Sequence, residues 1–397
     1  MSRAGDAADA QTRTFADAGG WPALLGALFR REDLSSEHVG AALGEILAGR
    51  ASNAQIAAFA AALRVKGETV EELRGLVAAM RAYGSDVSPG EGAIDTCGTG
   101  GDRSGTINVS TIAALVAAGA GATVLKHGGR AASSRAGSAD VLEALGVAID
   151  LGAPGVERCV ATAGIGFCLA TRFHPAMRHA TPVRRELGIA TVFNFLGPLV
   201  NPGHVSRQVV GVGDPAMAER MVGVLEATGT VHAMVCFGHD GLDELSTVTT
   251  STIIELVDDG SGPRRRSVVV NPRALHIAPA DPAALRGGDA AHNAARAHAV
   301  LGGEPGAQRD LVALNAAAAL VVAGIAQDLA SGLDAAYASI DSGAAANALA
   351  RLVETSRAAA DTERSAAAPE RAAADGERAA PAHDPAAPVA AGDGEAR

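Results

Sequence analysis

Four short segments of this chain carry backbone and side chains suited to gripping an anion. The first reads Asp95-Thr96-Cys97-Gly98-Thr99-Gly100-Gly101-Asp102 and leads into Asn108-Val109-Ser110-Thr111. Three glycines in four positions clear side chains away, so backbone amides can face a ligand. A helix starting near Ser110 would add unpaired N–H donors and partial positive charge. Ser110 and Thr111 suit a helix cap, with hydroxyls available to phosphate or to a hydrated metal. The pattern is neither a P-loop, which needs Gly-Lys-Ser/Thr, nor GxGxxG. A tight turn with packing glycines is the alternative.

The second segment is Lys126-His127-Gly128-Gly129-Arg130-Ala131-Ala132-Ser133-Ser134, directly after an apolar stretch. Charge at the C-terminal end of a strand, beside small residues, suits a crevice for an anion. Lys126 supplies a point charge for phosphate and His127 a donor nearby. The third runs from Arg172-Phe173-His174-Pro175 to Arg184-Arg185-Glu186. An arginine grips a planar carboxylate in a fixed two-pronged geometry. One arginine is available to a substrate carboxylate and another to a helix-surface glutamate; His174, before a proline, reads as architectural. The fourth is His239-Asp240-Gly241-Leu242-Asp243-Glu244. Adjacent carboxylates on a loop suit hydrated magnesium, which keeps waters and takes one or two carboxylates plus phosphate oxygens. By itself this segment reads as an acidic surface turn.

The elements that must hold these segments are legible in outline. Residues 20–90 look all-helical: Trp21, Leu24, Leu25, Leu28 and Phe29 recur on one face. Ser52 with Gln55 and Thr69 with Glu72 have capping-box spacing, and Gly67 and Gly84 stand where helices should end. From residue 91 apolar segments (Ile94–Cys97, Thr123–Lys126, Val231–Phe237) alternate with helical ones (Ile107–Ala120, Asp140–Gly146, Ala216–Thr228). That alternation implies an α/β domain with a mostly parallel sheet. Thr252–Val257 and Ser267–Val270 read as an added hairpin, and two Ala-rich helices, about 310–330 and 333–355, close the domain at 356. Residues 1–19 and 357–397 are expected to be disordered, because almost nothing in them is larger than Ala and apolar.

The chain has 397 residues, 48% hydrophobic and 19% charged, with a net charge of −11. That length accommodates two domains. The acidic balance argues against nucleic acid as a partner, since phosphate contacts need clustered Lys and Arg. The basic run Arg264-Arg265-Arg266 reads as a solvated turn. Cys97, Cys159, Cys168 and Cys236 show no CxxC spacing, so reduced thiols in a cytoplasmic protein are expected. No apolar run reaches the roughly 18 residues of a membrane span, and Met1-Ser2-Arg3 followed by Asp6 and Asp9 does not resemble a signal peptide.

Taken together and in order, the four segments resemble the anthranilate phosphoribosyltransferases over about residues 20–355. The resemblance implies a small helical domain joined to a larger α/β domain, an active site between them, and a homodimer formed through the helical domains. It implies a site for phosphoribosyl pyrophosphate (PRPP) at Gly98, Thr99, Gly100, Gly101, Asp102, Thr106, Asn108, Ser110, Thr111, Lys126 and Ser138. Anthranilate falls to Gly98, His127, Gly129 and Arg184, and Mg²⁺ to Ser110, Asp243 and Glu244. Asn194–Pro202 is also family-like and architectural. One position departs: the family's asparagine after Lys-His-Gly is Gly129 here. The nearest alternative is a nucleoside phosphorylase of the same fold superfamily, which the acidic pair and Arg184 speak against. A catalytically silent nucleic-acid-binding relative is opposed by the net charge.

Overall fold

The computed structural model describes residues 15–102, 104–131 and 135–379, with side chains described as far as residue 366. Helices Gly20–Phe29, Ser36–Leu47, Asn53–Lys66 and Val70–Ala82 form the N-terminal domain. Both capping boxes close. Ser52 accepts from the Gln55 amide while Gln55 accepts from that of Ser52, and Thr69 and Glu72 do the same. Gly67 leaves its helix at φ 88°, a left-handed turn that favours glycine. The Trp21 stripe is narrower than its spacing implies. Trp21, Leu24 and Leu28 are buried, whereas Phe29, the last residue of its helix, is 70% exposed. Order begins before residue 20: Phe15 is buried edge-on against Trp21, ring centroids 5.2 Å apart. Residues 1–14 lie outside the described residues.

The α/β domain holds one seven-stranded sheet in the order β3-β2-β1-β4-β5-β6-β7. The strands are β1 (Ile94–Gly98), β2 (Val124–Gly128), β3 (Ile165–Leu169), β4 (Arg207–Gly211), β5 (His232–Gly238), β6 (Ser251–Asp258) and β7 (Pro263–Val270). The first five run parallel, and β6 and β7 form the expected antiparallel hairpin. Strands β3 and β4 are not among those expected from the sequence; each is five residues long and almost wholly buried, with no alternation to mark it. The arginine run is not a turn. It lies within β7, where Arg264, Arg265 and Arg266 pair with Asp259, Glu226 and Glu255.

Alternate residues divide the sheet between two cores. Val209, Met234, Cys236 and Ile253 face one, with helices Val109–Gly119, Ala153–Ala163, Ala307–Val322 and Leu329–Asp341. Val210, Val212, Ala233, Val235, Ile254 and Leu256 face the other, which is continuous with the helical domain. One core therefore spans both domains.

The chain lays down β1, β2 and β3 toward one edge, then returns to place β4 on the far side of β1. Strand order reverses there, and ligands of open parallel sheets settle at such reversals, outside the carboxyl ends of the strands.

The C-terminal part corrects two expectations. Three helices close the domain instead of two, because Ser342 and Gly343 break the second stretch into Leu329–Asp341 and Ala344–Ala379. The last helix also continues well past residue 356, where disorder was expected. Ala359 and Ala360 are buried, and Arg357 and Glu363 bond to backbone elsewhere. Small apolar contacts and charged hydrogen bonds hold this segment without large side chains. Residues 380–397 lie outside the described residues.

Candidate active site

The glycine loop leaves β1 at the strand-order reversal and is clasped to the neighbouring strand ends. Thr99 N donates to Gly211 O at 2.9 Å, and Gly213 N donates to Thr99 Oγ1 at 3.2 Å. Gly100 N donates to Asp243 Oδ2 at 2.7 Å. A β-carbon on Gly98 would stand 2.5 Å from that same oxygen, and one on Gly211 only 1.7 Å from Asp243 O. Glycine at both positions is what lets the acidic loop after β5 close over the ends of β1 and β4. Gly100 and Gly101 add left-handed backbone, φ 67° and 82°.

Beside this clasp Ser110 lies in the first turn of helix Val109–Gly119, and its amide donates to Glu244 Oε1 at 3.1 Å. The Lys126 ammonium is buried; it donates to Thr96 O and lies 3.4 Å from Ser110 Oγ. Burial pushes the carboxyls of Asp243 and Glu244 upward, to about 7 and about 8. Asp102, next to Asp243, pushes that carboxyl further, and Asp243 does the same to Glu244. Asp243 and Glu244 thus stand close to Lys126 with Asp102 alongside, an excess of negative charge that a divalent cation would offset. Among the described residues no three His, Cys, Asp or Glu side chains form a metal cage by themselves. Magnesium relies on one or two carboxylates and completes its shell with water and phosphate, which suits the Asp243–Glu244 pair.

On the other side of β1, Asp95 is fully buried and accepts from His127 N at 3.2 Å and Asn201 Nδ2 at 2.8 Å. Asn201 also donates to Leu125 O. This network fixes β2 and the end of the Asn194–Pro202 segment to β1. His127 Nδ1 donates to Gly197 O at 3.0 Å. Burial, with His174 edge-on at 5.3 Å, lowers the ring to about 3 and keeps it neutral. With Nδ1 carrying the proton, Nε2 is an acceptor, not the donor the sequence suggested. It is buried without a partner among the described residues.

Gly129 has ordinary backbone conformation, and a β-carbon there would meet only Ala170 Cβ, at 3.8 Å. Its carbonyl accepts from Ala139 N at 3.1 Å and Ser138 Oγ at 3.4 Å, bringing Ser138 to the same loop. Asn108 Nδ2 donates to Ala136 O and Asn108 Oδ1 accepts from Asn293, a partner no sequence motif announced. Thr106 sits at the rim, bridged to Arg286, and Thr111 is buried in the first turn of its helix. Ala132, Ser133 and Ser134 lie outside the described residues.

Arg184, on helix Thr181–Leu187, is half-buried, and burial weakens its hold on its proton. Its guanidinium lies 5.9 Å from the Phe193 ring centroid; among the described residues it makes no ion pair or hydrogen bond. Phe193 belongs to helix Val192–Leu196, which runs straight into Gly197, the residue bonded to His127. Arg184 is thereby linked through one short helix to the end of β2. Arg172, the other candidate, is taken up with Asp150 at 3.8 Å.

Comparison with known proteins agrees with this architecture. Residues 22–84 match the model of the glycosyl transferase family helical bundle domain, and residues 90–346 that of the same family's a/b domain. The anthranilate phosphoribosyltransferase of a Nocardioides species is 53% identical over 338 residues, covering 84% of this chain and 98% of that protein. The Roseiflexus protein of the same name is 52% identical over 331 residues, covering 83% and 96%. The crystal structure of the Thermus thermophilus anthranilate phosphoribosyltransferase superposes with TM-score 0.77 at 39% identity, covering 84% of this chain and 99% of that one. The Saccharomyces cerevisiae enzyme in complex with PRPP and Mg gives 0.72 at 26% identity, covering 81% and 92%. With 53% of residues identical over 84% of this chain and 98% of the Nocardioides protein, and with the same two-domain architecture, the chain belongs to the anthranilate phosphoribosyltransferase family.

Proposed function

We propose that the chain transfers the 5-phosphoribosyl group of PRPP to the amine of anthranilate, releasing pyrophosphate, in tryptophan biosynthesis. The observation that carries this reading is the clasp between the glycine loop and the acidic pair, Gly100 to Asp243 and Ser110 to the buried Glu244. Beside this clasp lie a helix N-terminus and the Lys126 ammonium, positive charge of the kind a pyrophosphate leaving group requires. Ser110, Asp243 and Glu244 would hold Mg²⁺, which neutralises the charge that builds on departing pyrophosphate. The Saccharomyces cerevisiae relative is described with PRPP and Mg, and in another complex with 4-fluoroanthranilate.

Loss of pyrophosphate leaves an oxocarbenium-like ribose, which the anthranilate nitrogen attacks from the opposite face. Arg184, half-buried over the Phe193 ring, supplies the two-pronged grip for the anthranilate carboxylate. Neutral His127 offers Nε2 as an acceptor on the same side. Gly129 leaves room there, Gly98 stands against Asp243, and Asn108 and Ser138 brace the phosphate side. An aromatic amine is neutral at pH 7, so no side chain is assigned as acid or base. The chain's work is positioning and electrostatic stabilisation.

Phe29 and Val65 of the helical domain are each 70% exposed, apolar surface available to a second copy. That supports a homodimer through these domains, which sedimentation tests. No helix among the described residues is long and apolar enough to cross a membrane, and four buried, unbonded cysteines accord with a cytoplasmic location. Incubation with PRPP, Mg²⁺ and anthranilate should consume anthranilate only when all three are present. Uridine or thymidine with phosphate should give no reaction; turnover of either instead would replace this reading with a nucleoside phosphorylase.

A further inference from the structure

We propose that Asn315 is a positioning residue for the acidic pair: its buried amide fixes the backbone of Leu245 and so aims the Glu244 carboxylate that Mg²⁺ would use. The inference deepens the reading of Asp243 and Glu244 as metal ligands and rests on it.

Asn315 sits in the middle of helix Ala307–Val322. From Leu311 to Val322 every residue of that helix is buried, and Asn315 is the only one with a polar side chain. An amide in such a place costs stability unless it is bonded. This one is bonded three times. Its Oδ1 accepts from Leu245 N at 2.9 Å, and its Nδ2 donates to Leu245 O at 2.9 Å. The third bond, Nδ2 to Leu311 O at 2.9 Å, runs one turn back along the helix and sets the orientation of the amide. The two bonds to Leu245 are those that a paired strand residue would make. Here a side chain makes them, across 70 residues of sequence.

Leu245 N belongs to the peptide group that begins at the Glu244 carbonyl, so holding it holds the backbone from which Glu244 projects. The far end of that side chain is tied as well, since Glu244 Oε1 accepts from Ser110 N at 3.1 Å. Ser110 lies on helix Val109–Gly119, which packs against helix Ala307–Val322. One helix pair thus holds Glu244 at both ends. The flanks of the loop are closed by other bonds. Gly238 N donates to Leu242 O at 2.8 Å, Ser246 Oγ to Asp240 Oδ2 at 2.7 Å and Ser246 N to Ser251 Oγ at 2.8 Å. Leu242 and Leu245 bury their side chains in the core. Apolar packing sets how deep the loop lies but is not directional, whereas a pair of hydrogen bonds is. Without the Asn315 amide the loop keeps its flanks and its depth, and Glu244 loses the angle at which it meets Ser110.

The test reads metal binding apart from turnover. Wild type, Asn315→Ala, Leu320→Ala and the double variant D243N/E244Q are titrated with Mn²⁺, which takes the same oxygen ligands as Mg²⁺. Free Mn²⁺ is followed by electron paramagnetic resonance. Leu320 is a buried side chain of the same helix, and its truncation lowers stability without removing a bond to Leu245. Melting temperature and turnover against Mg²⁺ are measured on the same samples. Asn315→Ala should raise the Mn²⁺ dissociation constant and the half-saturating Mg²⁺ about tenfold each, with the anthranilate KM within about twofold. Leu320→Ala should lower the melting temperature at least as much and leave both metal constants at wild type. A folded Asn315→Ala that binds Mn²⁺ as wild type does would overturn the proposal. An equal shift in Leu320→Ala would overturn it too, because metal binding would then follow stability alone. Should Asn315→Ala not fold, Asn315→Ser takes its place, with a hydroxyl able to bond Leu311 O. Failure of both to fold would assign the amide to the core and overturn the proposal. Wild type that binds Mn²⁺ no better than D243N/E244Q would remove the metal reading itself, and the role of Asn315 with it.

Discussion

The Asp243 carboxylate holds the Gly100 amide at 2.7 Å across 143 residues of sequence, and the same oxygen occupies the space a side chain on Gly98 would need. The first consequence is steric. Gly98→Ala places a methyl 2.5 Å from Asp243 Oδ2, so the carboxylate must swing away. The expected result is a folded protein with a Mg²⁺ requirement raised about tenfold, read from turnover against Mg²⁺ concentration. An unchanged Mg²⁺ curve would mean that Asp243 does not serve the metal.

Asp243→Asn with Glu244→Gln removes two buried charges that the apo fold accommodates poorly. Thermal stability without Mg²⁺ should hold or rise, while turnover at limiting Mg²⁺ falls on the order of a hundredfold or more. Normal turnover at limiting Mg²⁺ would reduce the pair to a structural turn.

His127 gives a pH signature of definite sign. Its folded value of about 3 lies below the usual histidine value near 6.5, because burial disfavours the charged ring. The unfolded chain therefore binds a proton between those values and the folded chain does not. The contribution is fully present above about pH 6.5 and is lost as pH falls, by about 2 kcal/mol on reaching pH 5. Chemical denaturation of wild type and His127→Gln should show the shallower acid slope in the variant. Parallel slopes would show that His127 protonates in the fold.

Arg184→Lys should raise the anthranilate KM about ten- to a hundredfold and leave that for PRPP near wild type. An ammonium cannot reproduce the paired bonds of a guanidinium, a loss of about 1–3 kcal/mol. Equal damage to both substrates would indicate that Arg184 acts through its packing on Phe193.

Gly129→Asn should be accommodated, because the backbone there is not left-handed and the nearest atom to an added β-carbon is 3.8 Å away. Melting temperature should be unchanged, and the anthranilate KM lowered or unchanged, since an amide adds donors and an acceptor. A variant that loses turnover while a larger amine serves the wild type would show that the glycine makes space for another acceptor.

The glycine loop, the lysine after β2, the adjacent carboxylates and both capping boxes were legible in the sequence because each is a local pattern with a local physical cause. Glycines clear backbone, a cap must sit three residues from its amide, and strand–helix alternation demands a mostly parallel sheet. Only the tertiary structure decided what these patterns meet. Asp243 reaches Gly100 through the order of strands, and no spacing along the chain encodes that. Asn201 and Asn293 look like ordinary polar residues until folding sets them against Asp95 and Asn108. The His127 tautomer depends on a carbonyl 70 residues away. The last helix misled for a related reason. Composition measures how much apolar surface a segment can bury, and this one docks with alanines and three polar side chains whose partners lie about two hundred residues upstream. Those contacts are non-local, so the sequence reading ended the domain at 356, while the fold carries it further.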